Sequence, residues 1–148
     1  MQNKKRKAGQ QLSYYSLTLL SYLKENHPIQ ASDTAFIKER ADIAAETYSN
    51  AIKGGQTTIE AEEQASYVLF QGLHFSLYNS LLHILWNEFS DEIPEERVKE
   101  AALQILPACR EVLNKYTLWD DFESTSQYDE LYTELTGTVA ILLEDGLQ

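Results

Sequence analysis

Cysteine is almost missing from this chain: Cys109 stands alone among 148 residues. One thiol cannot close an intrachain disulfide, which excludes the disulfide-stapled secreted scaffolds and favours a reducing, cytoplasmic setting. Cys109 falls on an apolar helical stripe, where a cysteine behaves as a small hydrophobe. Glycine and proline are also scarce, six and three, so collagen-like and low-complexity chains are excluded. The only histidines are His27, His74 and His83, and no two of them stand three or four residues apart. Two ligands on one helix face need that spacing, so zinc-protease and di-iron bundle patterns are missing and no metal is expected. Neither a G-x-S-x-G elbow nor a G-x-x-x-x-G-K or G-x-G-x-x-G loop occurs, so no catalytic residue and no cofactor is assigned. Alternation of apolar and polar residues, the mark of strands, is lacking throughout.

Residues 64–87 contain no charge, a span long enough to raise the question of a membrane. Gln64, Ser66, Gln71, His74, Ser76, Asn79, Ser80, His83 and Asn87 interrupt it, and a spanning helix needs ~20 mostly apolar residues. The stretch Leu12 to Leu23 holds three Ser and three Tyr and lacks a small-residue cleavage site, so it is not a secretory signal.

What is present is core-forming material, 43% apolar and 11% aromatic, arranged at helical period. Ser13 caps a first helix that stops at His27-Pro28, because proline disfavours helical backbone at the residue before it. A second starts after Ser32 or Asp33, presents Phe36, Ile37, Ile43, Ala44, Tyr48, Ala51 and Ile52, and ends at Lys53-Gly54-Gly55. Thr57 and Glu60 form a capping box for a third, running to about Gln71-Gly72. Ser76 caps a fourth, through Phe89. A fifth opens at Pro94 and carries Val98, Ala101, Ala102, Ile105, Cys109, Val112, Leu113 and Tyr116 in one phase, which predicts a single helix kinked at Pro107. After a loop over 117–125, Ser126 caps a sixth with Tyr128, Leu131, Tyr132, Leu135, Val139, Leu142 and Leu143 inward, closed by Gly146. The expected fold is all-α: residues 12–148 form one bundle of about six helices around a central uncharged hairpin, and residues 1–11 are a disordered basic tail.

Charge is unevenly spread. Residues 1–87 carry eight acids and eight bases, whereas residues 88–148 carry fifteen acids and four bases, the whole net charge of −11. Such a surface repels phosphate, so direct nucleic-acid binding is not expected. The one basic cluster, Lys4-Lys5-Arg6-Lys7, has no interleaved aromatics and reads as a solvated terminus.

The segments Ser13-Tyr-Tyr-Ser-Leu, Ser21-Tyr-Leu-Lys-Glu-Asn-His-Pro28, Phe36-Ile-Lys-Glu-Arg-Ala41, Gln71-Gly-Leu-His-Phe-Ser76, Leu85-Trp-Asn-Glu-Phe89, Asp120-Asp-Phe122 and Leu131-Tyr-Thr-Glu-Leu-Thr-Gly137 resemble a family of small proteins from anaerobic gut bacteria. That family is known only as a domain of unknown function. The resemblance runs from about Leu12 to Leu143. It implies a compact helical fold and an association with mobile, conjugation-related DNA, and it carries over no substrate, cofactor or catalytic residue.

Two features are candidate sites. Asn79, His83 and Asn87 stack at i, i+4 and i+8 along the fourth helix. On an acidic protein, a neutral line predicts burial, either as an internal hydrogen-bond network or as a seam facing a ligand or partner. Trp119, in the loop after the fifth helix, is a candidate exposed anchor, since tryptophan is enriched in binding hot spots. Nine tyrosines add either half-wet core-edge rings or a Tyr-rich interface. The residues point to a cytoplasmic protein–protein interaction module, binding a partner or itself, rather than to an enzyme. The alternatives are an acidic regulator occupying the basic surface of a DNA-processing protein of a mobile element, and a small-molecule-binding protein or enzyme.

Overall fold

Helices start here where a short side-chain oxygen precedes an apolar stripe. In the computed structural model, which describes residues 13–118 and 121–146, Ser13 accepts the Ser16 amide at 3.0 Å and Asp33 that of Phe36 at 3.1 Å. Thr57 accepts the Glu60 amide at 3.1 Å, and Ser76 that of Asn79 at 3.0 Å. Each satisfies a first-turn N–H that has no partner inside its helix. Glu60 reaches back to the Thr57 amide at 3.0 Å and completes the capping box.

The helices are α1 (Tyr14–Asn26), α2 (Thr34–Lys53), α3 (Thr58–Leu69), α4 (Leu77–Glu88), α5 (Val98–Arg110) and α6 (Ser126–Glu144). Short 3-10 turns occupy Gln30–Ser32, Glu95–Arg97, Glu111–Lys115 and Phe122–Ser124, and no strand occurs among the described residues. Among the described residues the fold is all-α, 78% helical with the 3-10 turns included. No helix among the described residues is long and apolar enough to cross a membrane. The basic run Lys4–Lys7 and the rest of the expected tail lie outside the described residues.

The chain resolves into two units that meet in sequence at Gln71 and Gly72. The N-terminal unit holds α1, α2 and α3, with α2 packed mainly on α3 and α1 on α2. Its core joins Leu19 and Leu23 to Ile37, Ala41, Ala44 and Ala51 of α2 and Ala61, Ala65 and Leu69 of α3. Five alanines along the α2–α3 contact let the two backbones approach closely, as a dense interior requires. This alanine line faces inward, so Ile43 and Ile52, expected on the stripe, flank it and are exposed. After α2 the chain reverses through Gly55, whose φ of 95° suits glycine alone.

One side chain ties the end of α3 to α2. Arg40 Nη1 donates toward the carbonyls of Val68, Leu69 and Gln71 at 3.3, 3.1 and 2.8 Å. Its guanidinium carbon lies 4.9 Å from the centre of the Phe36 ring.

The C-terminal unit packs α4 against α5 and α6. Its fully buried side chains include Leu81, Ile84, Leu85, Val98, Ile105, Leu131, Leu135 and Val139. Phe122 is also fully buried, dropped into this core from its 3-10 turn. It makes edge-to-face contacts with Phe75 at 5.3 Å and with Tyr116 and Tyr128 at 6.1 Å. α5 runs unbroken past Pro107. The carbonyl that a residue 107 amide would have engaged is that of Leu103, a side chain on the exposed face of the helix.

Three local expectations shift. Residues 95–97 wind as a 3-10 turn, so the α-helix begins at Val98 rather than Pro94. Thr125, not Ser126, occupies the cap position of α6, and it makes no side-chain cap there: its hydroxyl donates back to the Phe122 carbonyl at 2.7 Å and closes the preceding turn. The two arms of the expected uncharged hairpin, α3 and α4, fall in different units, α3 serving α2 and α4 serving α5 and α6. Charge follows the same boundary: residues 1–71 carry eight acids and eight bases, and residues 72–148 carry the full −11.

Candidate functional site

α4 buries Leu77, Tyr78, Leu81, Leu82, Ile84 and Leu85. At about 100° per residue, its remaining arc holds Trp86, Asn79, His83 and Asn87 in angular order. The expectation that this neutral line is buried does not hold: Asn79 is half-buried, and His83 and Asn87 are exposed. The cause is positional. The facing helices cover the leucine side of α4, and Tyr132 of α6 reaches Asn87 on its polar side.

The exposed arc is nonetheless organised. The His83 and Trp86 rings meet edge to face, 5.9 Å apart with an interplanar angle of 80°, and Trp86 is 42% exposed. Trp86 is not among the candidate site residues that the sequence offers. Its position three residues after His83 was the available signal that the two rings share a face. Asn87 Nδ2 donates to the Tyr132 hydroxyl at 3.3 Å, and that hydroxyl donates to Glu88 Oε2 at 3.3 Å. Burial of the Tyr132 phenol pushes its pKa up, Asn87 opposes this, and the neighbouring Glu88 carboxylate raises it further. Tyr132 therefore keeps its proton and pins the Glu88 carboxylate. Deeper in the unit, the buried Ser80 hydroxyl lies 3.5 Å from that of Tyr128. Trp119, the other candidate anchor, lies outside the described residues.

A second polar group sits on the other flank of α6. Glu134 accepts from Tyr116 at 2.6 Å and pairs with Lys115 through its other oxygen. The hydrogen bond to Glu134 pushes the Tyr116 phenol up to about 12. Lys115, then Tyr116, hold the Glu134 carboxyl below its ordinary range. Tyr116, Asp129, Glu130, Thr133 and Glu134 line an open depression of ≈ 500 Å³. A smaller cleft of ≈ 260 Å³ is lined by the apolar Ile93, Pro94, Ala101 and Leu143 together with Glu92, Arg97 and Gln104.

Among the described residues no group of three or more His, Cys, Asp or Glu side chains is placed to hold a metal ion. Cys109 is buried, and burial pushes its thiol up to about 11, far from a thiolate nucleophile. Of the nine tyrosines, Tyr15 and Tyr78 are buried, Tyr14 and Tyr67 are exposed, and the other five are half-buried rings at the core edge.

These features describe a small helical protein with an exposed aromatic–amide face. The chain belongs to the family DUF1896, a domain of unknown function, whose family model matches residues 7–147. Its fold is similar to that in the crystal structure of protein PG0816 from Porphyromonas gingivalis, with 41% identity, a TM-score of 0.83, and coverage of 89% of this chain and 90% of that one. No curated protein matches it.

Proposed function

We propose that this is a cytoplasmic, non-catalytic interaction module that binds a protein partner through α4 of its C-terminal unit. One observation carries the reading: Trp86 stands 42% exposed, held edge-on by His83, in an uncharged arc on the unit that carries all of the net charge. A rigid aromatic ring flanked by amide side chains supplies contact area with little entropy left to lose on binding, the usual make-up of an interface anchor.

Affinity capture from the native host with the wild-type chain, Trp86→Ala and Ile59→Ser tests it. Ile59 is a 70% exposed side chain of α3, in the other unit. A protein retained by wild type and Ile59→Ser and lost by Trp86→Ala supports the module. A monomer that retrieves nothing, or a prey indifferent to Trp86, refutes it.

The partition of charge favours a second reading, an acidic regulator that occupies the basic surface of a DNA-processing protein. Its association would be electrostatic and would weaken steeply as salt rises. Binding insensitive to salt removes it.

A further inference from the structure

We propose that the last turn of α4 seats a lysine or arginine side chain from a basic segment of the partner protein, with the cation against the Trp86 indole. This rests on α4 being the partner-binding face. Trp86 lies in that last turn, exposed and oriented by His83. The last turn carries no basic residue, so the negative end of the helix dipole has no cation of its own. The chain leaving α4 then exposes Glu88, Asp91, Glu92, Glu95 and Glu96, with Arg97 the sole base over residues 88–97. Arg97 is itself engaged by Glu100 at 3.4 Å.

A cation over an indole face is attracted by the ring quadrupole, more strongly once partly desolvated. The surrounding acids add a field that concentrates basic segments at this end of the helix and repels phosphate. The arc itself is neutral, and a lysine or arginine at 79, 83 or 87 would cancel that attraction. Asn87, the residue after Trp86, and Asn79, about two turns before it, lie where amide groups can meet the backbone on either side of the incoming side chain.

Trp119→Phe leaves Trp86 as the only tryptophan of the chain. In that background, a blocked tetra-arginine peptide is expected to change Trp86 emission saturably, and a tetra-citrulline peptide of equal length is not. Anisotropy of the dye-labelled arginine peptide should show binding weakened about fivefold in Trp86→Leu, which keeps the apolar bulk, and less in Trp86→Phe, which keeps a π face. Circular dichroism checks that each variant folds.

Equal binding to Trp86→Leu overturns the proposal, as does equal binding of tetra-citrulline. Peptide binding seen only after deletion of Met1–Gly9 also overturns it, because the occupant would then be the chain's own Lys4–Lys7. If Trp86→Leu abolishes capture of the partner yet leaves arginine-peptide binding intact, α4 remains the interface and the cation reading fails alone.

Discussion

Arg40 offers the sharpest test of how the N-terminal unit is held together. Its half-buried guanidinium serves three carbonyls at the C-terminal end of α3, the best at 2.8 and 3.1 Å, while packing over Phe36. One nitrogen carries two protons, so two of the three contacts are full hydrogen bonds at any instant. Hydrogen bonds from a charged donor contribute roughly 1.5–3 kcal/mol in favourable sites. A cation at a helix C-terminus adds about 0.3–1 kcal/mol. The exposed acceptors recover part of this from water, so Arg40→Ala should cost about 2 kcal/mol.

With a urea slope of ~1.5 kcal/mol/M for a domain of this size, the unfolding midpoint should fall by about 1.3 M. Arg40→Lys keeps the charge and loses the planar fork and the stacking, and should recover about half of the loss. Far-ultraviolet circular dichroism reads the midpoint, and hydrogen exchange at the Leu69 and Phe70 amides localises the effect to the end of α3. A midpoint shift below ~0.3 M in Arg40→Ala would refute the reasoning, because the three carbonyls would then be equally well served by water.

Phe122→Ala should destabilise by about 3–5 kcal/mol, since it empties a fully buried aromatic site ringed by Phe75, Tyr116 and Tyr128; a loss under ~1 kcal/mol in thermal denaturation would show that the turn does not plug the core. The Cys109 thiol, pushed up to about 11 by burial, should not react with an aromatic disulfide reagent at neutral pH in the native protein, and should release one equivalent after denaturation. Glu134→Gln should bring the Tyr116 phenol from about 12 back toward the ordinary 10, read as phenolate absorbance during an alkaline titration. The sign follows from the shifts. The raised Tyr116 pKa contributes stability that is complete below 10 and lost as pH climbs toward about 12. The lowered Glu134 pKa contributes stability that is present above the ordinary 4.5 and lost as pH falls through its depressed value. An unchanged phenol titration in Glu134→Gln would sink this account of the pair.

What could be read ahead of the structure was whatever depends on neighbours a turn away. Ser13, Asp33, Thr57 and Ser76 cap their helices because a short oxygen three residues before an amide can reach it, whereas the Thr125 hydroxyl at the start of α6 is drawn to the preceding turn instead. The stripe of α6 holds for the same reason, as does that of α5 as far as Cys109; beyond Arg110 the expected single helix gives way to the 3-10 turn Glu111–Lys115, which carries Val112 and Leu113. The packing of Phe122 depends on more than its neighbours a turn away. Its ring is covered by Phe75, a contact distant in sequence, as well as by the nearer Tyr116 and Tyr128, and nothing within the loop 117–125 names that distant partner. The Lys115–Glu134 pair spans nineteen residues and was equally illegible.

The polar line of α4 shows where inference from charge alone went astray. Neutrality on an acidic protein argues for burial, yet His83 and Asn87 are exposed. The comparison that matters lies inside the same unit. The exposed side of α6 carries Asp129, Glu130 and Glu144 beside the uncharged Thr133, Gly137, Ala140 and Ile141, whereas the arc Trp86–Asn79–His83–Asn87 of α4 carries no charge at all. Both faces meet the same solvent, so solubility does not account for the difference. Charges are depleted at the centres of protein interfaces, where losing their hydration costs more than a rim contact returns, and aromatic rings are enriched there. An exposed neutral arc with a braced indole, set beside a dense run of acids, has the composition of an interface centre and its rim, and that is why α4, rather than either cleft, bears the functional reading.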